Sequence, residues 1–158
     1  DWSPHPGMRL GVFVGGEFGG ELELADRFGE VVARSDYDTA LQNYYQDGPR
    51  LGWEEHYISG YASAHPAEDW AECWAHYLHI RAVLETAHAT GLRKDVAIAD
   101  WEVEFIDLIL AVNEVLRSMG LPDAYPFVIT ATIADKIEFV HKAVSRFSGR
   151  RDELSAAG

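Results

Sequence analysis

The sequence has little cysteine, few basic residues and no long apolar run. Its single cysteine, Cys73, excludes an internal disulfide and fits a reducing, cytoplasmic compartment. Basic residues number 13 against 26 acidic ones, which gives a formal net charge of −13. Such a charge repels nucleic acid and anionic membranes, so we expect neither as a partner. The best apolar stretch, residues 105–112, is interrupted by Asp107 and is shorter than the roughly 18 residues of a membrane helix.

What the sequence does have is apolar residues at helical spacing. Hydrophobic residues make up 47% of the 158 residues, which is enough for the core of one domain. We therefore predict a compact, mostly α domain over residues 1–148, with little or no sheet. Glycines and prolines make residues 1–20 irregular, and polar residues predict a disordered tail at 149–158.

Caps and breakers predict the helix boundaries. Leu24, Phe28, Val31 and Val32 share one helical face. Asp36 can cap the helix that follows it, and proline is well placed at the first position of the helix that begins after His65. The predicted helical segments after residue 36 are approximately 37–45, 53–62, 66–89, 100–118 and 131–147.

The helix after His65-Pro66 carries a narrow polar stripe. Glu68, Glu72, His76 and His79 fall within about 80° of one another on an otherwise apolar helix. Three interpretations fit this spacing. The stripe is a solvated face, or it holds a metal ion between glutamate and histidine four residues apart, or its members are buried and hydrogen-bonded.

Two segments have a more distinctive sequence. They are residues 61–79, YASAHPAEDWAECWAHYLH, and residues 117–128, RSMGLPDAYPFV, and a third match runs from Asp36 to Pro49. Taken in their order along the chain, these three segments resemble the Peptidase Mx family of bacterial zinc-binding metallopeptidases. The resemblance implies a zincin-like helical fold and peptide-bond hydrolysis by a zinc-bound water. It also implies an earlier His-Glu-x-x-His motif, in which the glutamate is the general base, and a third zinc ligand at the position of Glu68.

The expected zinc motif is degenerate in this chain. The only window of the right shape is Gly16-Glu17-Phe18-Gly19-Gly20, where Glu17 matches the catalytic base and Gly16 and Gly20 replace both histidines. Glycine offers no side-chain ligand, so we expect zinc peptidase activity to be lost or impaired. Zinc is the cofactor that the family implies, and this chain is expected to bind it weakly or not at all.

Two alternatives remain open. A relocated metal site can be drawn from His65, His76 and His79 with Glu68 and Glu72, although the family resemblance favours packing roles around the helix for these histidines. For the whole domain, one hypothesis is a metallopeptidase-like domain, a peptide hydrolase by descent, that is inactive in this form. The other is a non-catalytic binding or structural module that uses the vacated cleft, or the acidic surface, to hold a peptide or protein partner.

Overall fold

The computed structural model describes Phe28, residues 34–93 and residues 101–156. Four helices span these residues: α1 (Arg34–Asp47), α2 (Pro66–Ala89), α3 (Trp101–Ser118) and α4 (Ala131–Ala156). Short 3-10 turns lie at Trp53–Glu55 and Ala62–Ala64. No strand occurs in the described part of the chain, and the predicted mostly α fold is confirmed. Helix α2 is the centre of the arrangement, because the second 3-10 turn, α3 and α4 all contact it.

The boundaries of α2 follow from its sequence. His65 is extended and caps the helix, since its ring Nδ1 accepts a hydrogen bond from the backbone N–H of Ala67 at 3.1 Å. Pro66 occupies the first helical position, where its missing N–H costs nothing. After Ala89 the chain turns at Gly91, whose φ of 74° is easy only for glycine. The predicted span is therefore confirmed.

The last two helices begin close to where they were predicted. Helix α3 begins at Trp101 and ends at Ser118, and Gly120 follows with a φ of 72°. Helix α4 begins at Ala131 as expected but continues beyond the predicted end at Phe147 to Ala156. The segment predicted as a tail is thus helical over most of its length. A glycine inside a helix costs only about 1 kcal/mol relative to alanine, so Gly149 does not end α4.

Two upstream predictions were wrong in detail. Helix α1 begins at Arg34, so Asp36 lies inside the helix instead of capping it. The predicted helix at 53–62 is broken into the two 3-10 turns. Between them, the Ser59 hydroxyl accepts the N–H of Ala62 at 3.0 Å and Ser63 donates to the Gly60 carbonyl at 2.6 Å. These side-chain bonds compete with helical backbone bonds and so favour turns.

Other predictions fall outside the described residues. These include the glycine-rich segment at 1–20 and three members of the first predicted helical face. The fourth member, Phe28, is helical and only 5% exposed. Its ring packs edge-on against Trp70 at 5.1 Å.

The core lies between α2, α3 and α4. The buried face of α4 carries Ile133, Ile137 and Val140, which are fully buried, and Val144, which is partly buried. Cys73 is also fully buried, and this burial raises the pKa of its thiol, which is typical of an inert cysteine. No helix in the described ranges is long and apolar enough to cross a membrane.

One buried side chain organises the connection between α3 and α4. The Nδ2 of Asn113 donates to the carbonyl of Tyr125 at 2.9 Å. Its Oδ1 accepts the backbone N–H groups of Ala124 at 3.0 Å and Tyr125 at 3.3 Å. The loop has no regular structure, so this single amide satisfies backbone groups that a helix or sheet would otherwise pair.

Candidate functional site

A buried carboxylate lies where three elements meet. Glu68, in the first turn of α2, is 9% exposed and accepts a hydrogen bond from the hydroxyl of Tyr37 on α1. The phenol of Tyr61, just before the second 3-10 turn, lies close enough to Glu68 and Tyr37 for their charges to act on it. We call Glu68, Tyr37 and Tyr61 the Glu68 cluster. The His65 ring lies edge-on to Tyr37 at 5.0 Å.

The donor that contacts this carboxylate from α1 is a neutral phenol. Burial, reinforced by the hydrogen bond to Glu68, raises the pKa of Tyr37 to about 12. Burial and the charge of Glu68 raise the pKa of Tyr61 as well. Both phenols therefore stay protonated at neutral pH, and each can donate its hydrogen. The positive end of the α2 dipole adds a further favourable interaction with the Glu68 charge.

The next residue has a different environment. Asp69 is fully buried, and its Oδ2 lies 2.5 Å from the Nζ of Lys136 on α4. Lys136, 4% exposed, also donates to the carbonyl of His56 at 2.7 Å, and its ammonium lies 4.4 Å from the centroid of the Tyr57 ring. The sequence pattern gave no sign of this pair, because its members are 67 positions apart.

The rest of the polar stripe divides among separate neighbours. Glu72, half-buried, accepts a hydrogen bond from Ser59. His76 is buried, with its Nδ1 2.8 Å from the Tyr125 hydroxyl, and burial lowers its pKa to about 4. His79 is exposed. The solvated interpretation is thus wrong for Glu68 and His76, which are buried and hydrogen-bonded.

The structure does not gather the five predicted metal ligands into one group. The rings of His76 and His79 lie 6.4 Å apart, while Glu68 and Glu72 engage different hydroxyls. In the stretches that the structure describes, no three His, Cys, Asp or Glu side chains are placed to hold one metal ion. The window at 16–20, including Glu17, lies outside those stretches, so its assigned role stays a prediction.

One further polar pair was not predicted from the sequence. His88, near the end of α2, has its Nε2 2.8 Å from Oε1 of Glu104 on α3, and the Glu104 side chain is 5% exposed. The sequence gave His88 no role, because it lies apart from the other histidines. Its position beside a pocket between α2, α3 and α4 is set by packing of those helices.

Comparison with known proteins gives a consistent result. The sequence model of a family described as "Putative zinc-binding metallo-peptidase" matches residues 15–143. Uncharacterized proteins of Mycobacterium tuberculosis and Mycobacterium bovis are each 40% identical over 135 residues, covering 77% of this chain. The chain spans only 40% of the length of these relatives. No solved structure matches it significantly.

Proposed function

Because the chain belongs to the zinc-binding metallopeptidase family, we propose that it is a metallopeptidase-like domain that has lost the family's zinc-dependent hydrolysis. The family match begins at residue 15, so it includes the Gly16–Gly20 window. This supports the alignment of Glu17 with the general base and of Gly16 and Gly20 with the zinc-binding histidines.

The residues present do not fit a zincin site. A catalytic zinc takes three protein ligands and keeps one position for water. Glycine at 16 and 20 supplies no side-chain donor, which leaves Glu68 as the remaining member of the expected set. Glu68 already accepts a hydrogen bond from the Tyr37 hydroxyl. One carboxylate beside a phenol is an oxygen environment, whereas zincin sites rely on imidazole nitrogen.

The observation that carries this proposal is that Glu68 is buried and hydrogen-bonded, whereas the two zinc-binding histidines are missing. Helix α2 keeps its cap, its first turn and its buried carboxylate. The alternative, a binding module for a peptide or protein, is supported by the same carboxylate, which is buried against a neutral phenol. A fold maintained without its catalytic ligands fits a role in holding a partner.

Restoring the histidines tests the proposal. We expect the parent protein to retain almost no zinc after dialysis against a weak chelator. The Gly16→His, Gly20→His double variant should retain about one zinc per chain, measured by plasma mass spectrometry, because a complete ligand set is rebuilt. Adding Glu68→Gln to the double variant should weaken zinc retention, since the third ligand is then removed.

A matched variant separates zinc binding from peptide-bond cleavage. Adding Glu17→Gln to the restored protein should leave zinc retention unchanged and abolish any cleavage of a casein substrate. Stoichiometric zinc in the parent protein would contradict the proposal. So would a double variant that holds no more zinc than the parent, because Gly16 and Gly20 would then not be the ligand positions.

A further inference from the structure

A small cavity lies between the second half of α2 and the helices α3 and α4, and its volume is about 70 Å³. The buried side chains of Ile80, Leu84 and Ile137 line it, together with the ring of Trp101. Walls of this kind favour an apolar occupant, because moving apolar surface out of water stabilises a complex.

The volume of the cavity limits the size of its occupant. An apolar cavity of about 150 Å³ accepts benzene, so one of about half that volume takes a smaller group. A short branched aliphatic chain, such as isobutyl or isopentyl, is compact enough. Two side chains at the edge of the cavity, Glu85 and His88, are 67% and 38% exposed, so a ligand can enter from that side.

Most polar side chains around the cavity contact one another. The guanidinium of Arg81 lies 2.8 Å from the carboxylate of Glu85. The Nε1 of Trp101 donates to Glu138 at 2.9 Å. These contacts lie near solvent, where they are screened, and each uses the polar atoms that a ligand would otherwise contact.

Glu104 of α3 also lines the cavity, but its surroundings differ. Its side chain is 5% exposed, and its Oε1 lies 2.8 Å from the Nε2 of His88. A carboxylate can only accept, so the ring nitrogen is the donor, and a neutral imidazole can donate in this way. The other oxygen, Oε2, has no hydrogen-bond partner among the residues that the structure describes. A buried carboxylate with one unbonded oxygen favours a positively charged donor.

The apolar walls and the buried carboxylate together define a class of ligand. We propose that the cavity binds a small organic cation, with a branched aliphatic chain among the apolar walls and a primary ammonium group that donates to Oε2 of Glu104. The formal net charge of −13 adds a field that attracts cations.

This site is separate from the Glu68 cluster. Leu84 lies 16 positions after Glu68 on α2, which is about 24 Å at about 1.5 Å per residue. The proposal therefore does not depend on the loss of the zinc-binding histidines.

Calorimetric titration of the purified full chain with isopentylammonium chloride tests the proposal. The titration is run at pH 8, which favours neutral imidazole. We expect one ammonium ion per chain with a dissociation constant of about 1 mM or below, as fits a ligand of this size. The neutral analogue 3-methylbutan-1-ol should bind at least about tenfold more weakly, and the anion 4-methylpentanoate should not bind. Leucinamide distinguishes two sources of the cation: if it binds too, a peptide N-terminus fits the site, and otherwise only a free amine does.

Variants locate the binding site. Glu104→Gln should lower the affinity for isopentylammonium at least about tenfold, because it removes the charge and keeps an oxygen that accepts from His88. Leu84→Phe should abolish binding by filling the cavity. Glu114→Gln is the matched control: Glu114 is 70% exposed on the same helix and does not line the cavity, so affinity should change by less than about twofold. Circular dichroism checks that each variant is folded.

Three results would overturn the proposal. The first is a folded parent protein that shows no saturable binding of isopentylammonium up to about 20 mM. The second is equal affinity for the ammonium ion and the neutral alcohol. The third is a folded Glu104→Gln protein that binds as tightly as the parent. If that variant does not fold, the comparison with the alcohol and the Leu84→Phe variant still decide.

Discussion

Two consecutive carboxylates in the first turn of α2 have opposite surroundings. Asp69 faces α4, where the Lys136 ammonium neutralises it in the core. Glu68 faces α1, where the neutral Tyr37 hydroxyl donates a hydrogen bond to it. The difference separates a structural group, Asp69, from Glu68, to which we assign a binding role as a proposal. A carboxylate already paired with a cation has little left to offer a ligand, whereas one bonded to a phenol receives no counter-charge from that partner.

The largest loss of stability is expected from replacing Lys136, the partner of Asp69. We expect Lys136→Met to lower the free energy of unfolding by about 3–5 kcal/mol, because it leaves the Asp69 charge buried without a partner. Urea denaturation at neutral pH measures this. Lys142→Met is the control: Lys142 is exposed and pairs with Glu138 at 3.6 Å on the same helix, so its loss should cost at most about 0.5 kcal/mol.

A compensating variant sharpens that result. Replacing both partners, as Lys136→Met with Asp69→Leu, should recover much of the lost stability, since no unpaired charge remains. A loss below about 1 kcal/mol in the single variant would show that the pair does not tie α2 to α4.

A pH series extends the comparison to a buried group with no charged partner. Burial lowers the pKa of His76 to about 4 from its ordinary 6.5. Between these two pH values, His76 binds a proton in the unfolded chain but not in the folded protein. The free energy of unfolding therefore falls as the pH falls. The expected contribution is about 3 kcal/mol, present above pH 6.5 and lost by about pH 4.

Urea midpoints at a series of pH values test this expectation. His76→Gln, which can still bond to Tyr125 but does not titrate, should show a shallower loss of stability between pH 6.5 and 4 than the parent. His79→Gln should lie between the parent and the His76 variant, because the charge of the exposed His79 is the smaller of the two causes that lower the His76 pKa. Identical pH slopes in the parent and the His76 variant would refute the lowered pKa.

The smallest effect is expected on the Glu68 side. Tyr37→Phe removes one hydrogen bond to Glu68, so it should cost about 1 kcal/mol. Urea denaturation measures the cost, with Tyr44→Phe, which changes another tyrosine of α1, as the matched control. A loss as large as that of Lys136→Met would mean that the Glu68 cluster is also a structural tie.

The sequence predicted the parts of this arrangement that depend on neighbouring residues. The start of α2 is set by His65 and Pro66, and its end by Gly91, so local chemistry was sufficient. The fold class followed from apolar spacing in the same way. The break between residues 53 and 62 was missed because Ser59 and Ser63 bond to nearby backbone, and apolar spacing carries no sign of that.

The site was only half predictable for the same reason. Glu68 was identified through the family resemblance, but its partner Tyr37 is 31 positions away and carries no periodic signal. The same holds for Asp69 and Lys136. A helical stripe tells which residues share a face, whereas the burial of that face depends on which elements pack against it. Spacing alone therefore left three interpretations of the stripe open, and Glu68 and His76 fit the buried, hydrogen-bonded one.

The Asn113 amide affects which substitutions the connection between α3 and α4 can accept. Its hydrogen bonds within the described residues are to backbone atoms of Ala124 and Tyr125, and those atoms are present with any residue except proline at position 124. The shape of the connection between α3 and α4 is therefore set by a residue of α3 that lies outside the connection. Exposed positions of the loop are free to change in relatives, while the asparagine that sets their course has few substitutes of equal size and bonding capacity.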